Sequence, residues 1–219
     1  MFLLNPDMKA YHATLAALLS GVLLALSYAP FDLWALAYVA LVPLLLVIRS
    51  ARLMQVVGYC GMTGVVLATS IYHGALGYGL IVFLVITIAF FFAFALWGGL
   101  TRWLLARHSG LSVALFAPAL LWVGIETLAG GAPIGVPMYL GLSQVSQTPL
   151  IQSASWFGIS GISFLIVLVN AALVYAITRD ARHGRTAWFV PMGVGALVVA
   201  NLGLGELHLA QPLSLSAPV

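Results

Sequence analysis

Few residues in this chain of 219 could do chemistry, because it holds only five acidic side chains, five histidines and one cysteine. Glu126 is the most informative of them, since an ionisable group beside a long apolar segment is costly to place and is a functional candidate by default. Trp122 precedes it by four residues, so on a helix the two side chains share one face. A carboxylate there could accept hydrogen bonds from loop N–H groups or from Ser143. The alternative is that Glu126 is simply a polar residue at a membrane interface.

The remaining candidates point to no reaction. Cys60 is alone in an apolar stretch, where a thiol is inert. His12 and His73 could each be an axial ligand of a pigment or haem, but single histidines at helix ends are usually polar caps, and no paired spacing suggests a metal site. The only lysine, Lys9, precedes the first apolar segment, which excludes a retinal Schiff base inside the helices. We expect no catalytic residue, no metal and no cofactor.

The composition defines the class of protein. Hydrophobic residues are 63% of the chain, charged residues are 6% and the mean hydropathy is +1.13. A soluble domain carries roughly a quarter charged residues, so this chain could not cover a surface in water. The basic residues are too scattered to form a nucleic-acid stripe. We therefore predict an all-α, polytopic membrane helix bundle, because open strands would leave backbone groups unpaired in lipid.

Apolar runs of membrane-spanning length, ~20 residues, place about seven transmembrane helices in one domain, residues 1–219. The second run is short and could be tilted or partly sunken. We expect the first to be retained in the bundle, because Ala13, Ala17, Gly21 and Ala25 form a small-residue stripe that lets another helix approach. The predicted spans are 11–28, 33–48, 53–72, 79–100, 111–128, 157–177 and 186–204.

The basic residues predict the orientation. With the N-terminus in the cytoplasm, all eight lysines and arginines fall in inside segments and none in outside segments. The C-terminus is then external, and residues 129–156 form a long outer loop. The inside residues are Lys9, Arg49, Arg52, Arg102, Arg107, Arg179, Arg182 and Arg185.

The outer loop is too apolar for an ordinary aqueous loop. It is rich in glycine and proline and contains no charged residue. Such a segment is typical of an interfacial or re-entrant element that lines a cavity; the alternative is a compact loop packed on helix ends. The functional interpretation is a lateral, lipid-facing groove. Five residues are expected to line or shape it, because they also fall within a stretch of family resemblance: Trp122, Glu126, Pro137, Ser143 and Gln144.

Two stretches resemble the apolipoprotein N-acyltransferase family. Residues 27–37, SYAPFDLWALA, are similar to the family's turn after its first helix. Residues 117–126, APALLWVGIE, are similar to its Trp–Glu helix, and they continue into Gly135-Val136-Pro137, Gly141-Leu142-Ser143-Gln144 and Pro149-Leu150-Ile151-Gln152. Residues 158–165, GISGISFL, then resemble the start of its next helix. The resemblance covers about residues 18–210.

The chain also departs from the family pattern. Thr127 stands in the stretch where the family usually has an arginine, Met138 replaces a tryptophan and Leu142 replaces an aromatic residue. No residue matches the Glu-Lys-Cys triad of the family's nitrilase-like domain, and Cys60 is not its nucleophile. The resemblance implies a lipid-binding membrane scaffold that is not catalytic by itself. It is either a fragment of an enzyme or a stand-alone homologue.

The resemblance also implies the setting of the protein. The family transfers an acyl chain from a phospholipid to a lipoprotein, which predicts a multi-pass protein of the bacterial cytoplasmic membrane. Its partners would be membrane phospholipid and a lipoprotein substrate or other membrane subunits, and not nucleic acid. The alternative is a non-enzymatic membrane subunit that packs against other membrane proteins or pigments.

Overall fold

A computed structural model describes residues 10–131, 138–183 and 188–210, and within them every regular element is helical. The predicted all-α bundle is confirmed. Short 3₁₀ helices occur at Trp34–Leu36, His73–Tyr78 and Leu140–Gln144. The α-helices are α1 (Ala10–Ser27), α2 (Ala37–Ala40), α3 (Val42–Ser50), α4 (Leu53–Ile71), α5 (Leu80–Arg107), α6 (Leu111–Gly130), α7 (Thr148–Ile151), α8 (Ala154–His183) and α9 (Phe189–Leu209).

Six of these helices are long and apolar enough to cross a membrane: α1, α4, α5, α6, α8 and α9. Large apolar side chains cover their outer faces. Ile81, Phe92 and Val199, for example, are each more than half exposed. A surface of this kind would be unfavourable in water and is matched by lipid tails. The chain is therefore a multi-pass membrane protein.

The second predicted span is interrupted. Trp34–Ser50 is a shorter apolar segment in which α2 and α3 are separated at Leu41. Pro43 explains the break, because its ring removes one N–H donor and clashes with the carbonyl one turn earlier.

Asn170 of α8 satisfies the backbone groups that this break exposes. Its Oδ1 accepts the Leu41 N–H at 2.9 Å, and its Nδ2 donates to the Ala37 carbonyl at 2.9 Å. Leu44 N–H is paired in the same way, with Ser20 Oγ at 3.0 Å. The amide thus replaces the hydrogen bond from residue 41 to residue 37 that a continuous helix would make.

The small-residue stripe of α1 lies buried, as expected of a packing face. Thr63 of α4 reaches across it and donates from Oγ1 to the Ala17 carbonyl at 3.0 Å. A β-carbon at Gly21 would lie 2.7 Å from Val66 Cβ, so only glycine permits this approach. The stripe brings the α1 and α4 backbones together.

The two ends of the bundle differ in chemistry. At one end, here called the glutamate end, the turn after α1 and the last turn of α6 meet residues 138–144, and Gln144 Nε2 donates to the Trp34 carbonyl at 3.1 Å. At the other, the arginine end, Arg102 Nη1 of α5 donates to the Arg49 carbonyl of α3 at 3.3 Å. The interrupted segment Trp34–Ser50 therefore runs from the glutamate end of the bundle towards the arginine end, whereas the prediction of a seventh membrane-spanning helix here stays a prediction.

Candidate functional site

The site is built on the last two turns of α6. Trp122 and Glu126 are one helical turn apart and both face the interior, where each is less than 7% exposed. Trp122 Nε1 donates to Glu126 Oε1 at 2.6 Å. The spacing of four residues predicts this shared face, and the structure adds that the two side chains are bonded to each other.

Glu126 also holds a segment fourteen residues further along the chain. The backbone N–H of Leu140 donates to the same oxygen, Oε1, at 2.6 Å. Both donors therefore converge on one carboxyl oxygen over short distances. The carboxylate therefore fastens the 3₁₀ helix Leu140–Gln144 to the end of α6.

The other carboxylate oxygen has a different environment. Glu126 Oε2 is buried and has no hydrogen-bond partner among the described residues, although the Ser163 side chain lies beside the carboxyl group. Buried polar atoms are normally paired, and an unpaired one marks a strained or functional position. Oε2 is thus the less firmly bonded oxygen of this carboxylate.

Three further contacts fix the 3₁₀ helix Leu140–Gln144. Gly141 N–H donates to Ser163 Oγ of α8 at 2.8 Å. Ser143 Oγ donates to the Leu140 carbonyl at 2.7 Å, and Gln144 Nε2 donates to Ser143 Oγ at 2.9 Å. A β-carbon at Gly141 would lie 2.6 Å from the Ile159 carbonyl oxygen, so glycine allows the segment to sit directly on α8.

The turn after α1 completes the attachment. Tyr28 donates from its hydroxyl to the Tyr139 carbonyl at 3.1 Å. Together with the bond from Gln144 to Trp34, this links the turn to the segment that follows α6. Residues 138–144 are therefore held from three sides, by α6, by α8 and by the turn.

Aromatic rings form the wall next to the carboxylate. The Trp122 ring packs edge-on against Trp97 and against Phe94, with centroids 5.0 Å apart in both pairs. Trp97 is fixed in turn by a 2.8 Å bond from its Nε1 to the Pro118 carbonyl. These rings, Glu126 and Met138 enclose a cavity of about 10 Å³, the size that one water needs.

The structure brings together four of the five residues expected at the site: Trp122, Glu126, Ser143 and Gln144. Pro137 lies outside the described residues. All four are buried, and the cavity beside them is too small for an acyl chain. They shape the inner side of the segment, and their part in lipid binding is a proposal.

Sequence reasoning did not identify several residues that matter here. Ser163 and Asn170 are polar residues inside a predicted span, and that placement alone could have marked them as partners of other backbone. Trp97 gave no comparable signal, because an aromatic residue in an apolar helix is unremarkable. Leu140 contributes only its backbone, which no side-chain pattern can reveal.

Apolar space for part of an acyl chain lies elsewhere in the described chain. An apolar groove of about 470 Å³ lies on the outer surface of α4 and α5 near the arginine end, with Met54, Phe92 and Trp103 among its lining residues. Within residues 10–131, 138–183 and 188–210, no group of three His, Cys, Asp or Glu side chains could hold a metal ion.

Comparison with known proteins gives a consistent result. The family model described as apolipoprotein N-acyltransferase N-terminal domain matches residues 20–172. An apolipoprotein N-acyltransferase of Azotobacter vinelandii is 36% identical over 199 residues, which are 84% of this chain and 37% of the relative. One of Geobacter metallireducens is 34% identical over 214 residues, which are 90% of this chain and 40% of the relative. The chain thus spans about two fifths of the length of these relatives.

Proposed function

The chain belongs to the apolipoprotein N-acyltransferase family, to whose N-terminal domain its residues 20–172 correspond, and on this basis we propose that it forms the lipid-binding scaffold of such an acyl transfer. The substrates would be a membrane phospholipid, as acyl donor, and a lipoprotein, as acceptor. The relatives are bacterial, and a bundle of apolar helices belongs in the cytoplasmic membrane. This scaffold supplies no catalytic residue of its own.

One observation carries the proposal: a buried carboxylate at the glutamate end holds the segment after α6 in a fixed position. Burying a carboxyl group among tryptophan rings raises the free energy of the folded state. Neutral groups could hold the segment to α6 at a lower free-energy cost. The use of Glu126 therefore indicates that the position of residues 138–144 is important for function. Held against α6 and α8, they present Leu142 on their exposed side.

The geometry suggests how this surface acts. Leu142 and Val145 are exposed on the outer side of the segment, while Ser143 and Gln144 are buried on its inner side. The apolar side chains face the position of lipid, and the buried polar ones hold the backbone beneath them. A phospholipid would contact the outer side, so Trp122, Glu126, Ser143 and Gln144 act by positioning.

Photo-crosslinking tests this proposal on the chain itself. The protein would be placed in nanodiscs with a phospholipid that carries a photoactivatable acyl chain, and the labelled peptides would be located by mass spectrometry. We expect residues 138–145 to be labelled in the wild type, and the ratio of this labelling to that of the lipid-facing α9 surface to fall in Glu126→Ala. Glu206→Ala is the matched control, because Glu206 is exposed on α9 and its removal should leave the pattern unchanged.

A chimera tests the acyl-transfer part. The matching membrane portion of the Azotobacter vinelandii relative would be replaced by this chain, and the chimera expressed in a strain depleted of its own N-acyltransferase. Acylated lipoprotein N-termini would support the proposal. A chimera that is folded by size-exclusion chromatography but leaves lipoproteins unacylated would contradict it, as would stable co-purification of the chain with unrelated membrane subunits.

A further inference from the structure

The arginine end contains a polar cavity that the proposed function does not use. It measures about 310 Å³ and lies where α3 and α5 end, α6 begins and α8 passes. One water needs only about 10–15 Å³, so the cavity can hold a group of several atoms. Its polar lining consists of Arg49, Arg102, His108, Ser109 and Thr178.

One nitrogen of each of the two guanidinium groups donates to a neutral oxygen. Arg49 Nη1 donates to Thr178 Oγ1 at 2.6 Å, and the Thr178 hydroxyl donates to the Val174 carbonyl at 2.8 Å. Arg102 Nη1 donates to the Arg49 carbonyl at 3.3 Å. These bonds orient the guanidinium groups and bring no negative charge. Arg49 has a further partner as well, so we assign the principal ligand contact to Arg102.

The lining is a set of donors with no carboxylate among its described members. Guanidinium groups bind phosphate oxygens well because their donors are planar and paired. His108 and Ser109, which follow α5 directly, add an imidazole and a hydroxyl. By sequence, the loops predicted at this end hold all eight basic residues and two acidic ones, Asp7 and Asp180. Positive charge therefore exceeds negative charge here.

A neighbouring pair of side chains indicates the depth of the cavity in the membrane. Trp103 directly follows Arg102 and is 42% exposed on the outer face of α5. The Arg107 guanidinium lies over its ring at 4.1 Å. Exposed tryptophan is enriched at the headgroup level, and the cation above it fits the same region. Arg102 is thus at the depth of lipid phosphates.

We propose that this cavity binds a phosphate group, supplied by the headgroup of an anionic phospholipid in the leaflet at the arginine end. The surface of such a leaflet attracts basic residues, and the cavity adds oriented donors to that general attraction. Free inorganic phosphate offers the same chemistry and is the other possible source. The site lies at the opposite end of the bundle from Glu126, so it does not depend on the proposed function.

Thermal unfolding in mixed micelles tests the proposal. The probes are phosphatidylglycerol, zwitterionic phosphatidylcholine, and inorganic phosphate added to phosphatidylcholine micelles. We expect phosphatidylglycerol to raise the melting temperature above that in phosphatidylcholine, and Arg102→Gln to weaken the apparent affinity about tenfold, as for loss of one charge-assisted hydrogen bond. Arg107→Gln is the matched control, because it removes the same charge from the same helix outside the cavity lining. It should keep the preference.

The outcomes of this experiment distinguish an anionic phospholipid from free inorganic phosphate as the source of the phosphate group. An equal, Arg102-dependent shift with inorganic phosphate, and no added effect of phosphatidylglycerol, would make the ligand free phosphate and overturn the lipid assignment. No preference in the wild type, or equal losses in both arginine variants, would overturn the site. If Arg102→Gln does not fold, His108→Asn replaces it. Native mass spectrometry of the wild type in competing lipids supplies the same comparison without any variant.

Discussion

Replacing Glu126 by alanine should release the segment after α6 from the bundle. Glu126 Oε1 accepts hydrogen bonds from Trp122 Nε1 and from Leu140 N, each at 2.6 Å. The alanine variant has no acceptor, so both buried donors lose their partner. We expect the main effect at residues 138–144, because the other contacts of Trp122 are with aromatic rings.

The magnitude follows from these two bonds. A buried donor left unpaired costs about 1–3 kcal/mol, but hydrogen bonds within membrane bundles average only about 0.6 kcal/mol and reach about 1.7 kcal/mol. Removing the carboxyl group also removes the desolvation penalty of burying it, and this offsets part of the lost stability. We therefore expect Glu126→Ala to lower the free energy of unfolding by about 1–3 kcal/mol. At about 2–4 °C per kcal/mol for a chain of this length, the melting temperature should fall by about 2–12 °C.

Hydrogen exchange measured by mass spectrometry locates the effect. In Glu126→Ala, peptides that cover residues 138–145 should exchange faster, whereas those of α4 and α5 should not. Glu126→Gln separates charge from hydrogen bonding, because its amide oxygen can still accept from Trp122 and Leu140. We expect this variant to keep most of the protection and to lose less than about 1 kcal/mol, a smaller loss than that of two unpaired donors.

Two results would refute this reasoning. Unchanged protection of residues 138–145 in Glu126→Ala would show that the carboxylate does not hold the segment. Equal destabilisation by Glu126→Ala and by the exposed control Glu206→Ala would show that burial of the carboxylate has no energetic consequence.

Three other predictions concern the rest of the bundle. Asn170→Leu should lower the free energy of unfolding by about 1–3 kcal/mol, because it leaves Leu41 N–H and the Ala37 carbonyl unpaired. Denaturant titration in micelles measures this free energy, and an unchanged midpoint would contradict the prediction. Cys60→Ser should retain lipid crosslinking, and no acyl adduct should form on the buried Cys60 thiol; an adduct found by mass spectrometry would refute this. A reporter active only outside the cytoplasm should give signal when fused at Val219 and none near Arg182, and the reverse pattern would overturn the orientation.

The helices and their approximate limits could be predicted from the sequence, because in lipid an open strand or an irregular segment would leave backbone groups unpaired. A backbone without water must pair its own polar groups, so each long apolar run becomes a helix. Six predicted spans correspond to such helices. The second span is the exception. Pro43 indicates where its backbone hydrogen bonds are interrupted, but no residue nearby in the sequence indicates that Asn170 pairs the groups left over.

Local spacing likewise predicted one half of the candidate site. Trp122 and Glu126 are four residues apart, and the helical repeat alone places them on one face. Their burial follows only from packing. A sequence with an apolar outer loop is equally compatible with side chains that line an open groove and with side chains that anchor the loop from beneath.

Only the tertiary structure decided which backbone groups form hydrogen bonds with the polar side chains of Asn170 and Gln144. Asn170 bonds Leu41 across a separation of 129 residues, and Gln144 bonds Trp34 across 110. Such pairs leave no local periodicity, because they depend on how helices distant in sequence approach each other. The sequence alone determined that polar side chains within apolar spans would need partners, since an unpaired polar group in lipid is costly. The packing of α1, α6 and α8 determined which partners they found.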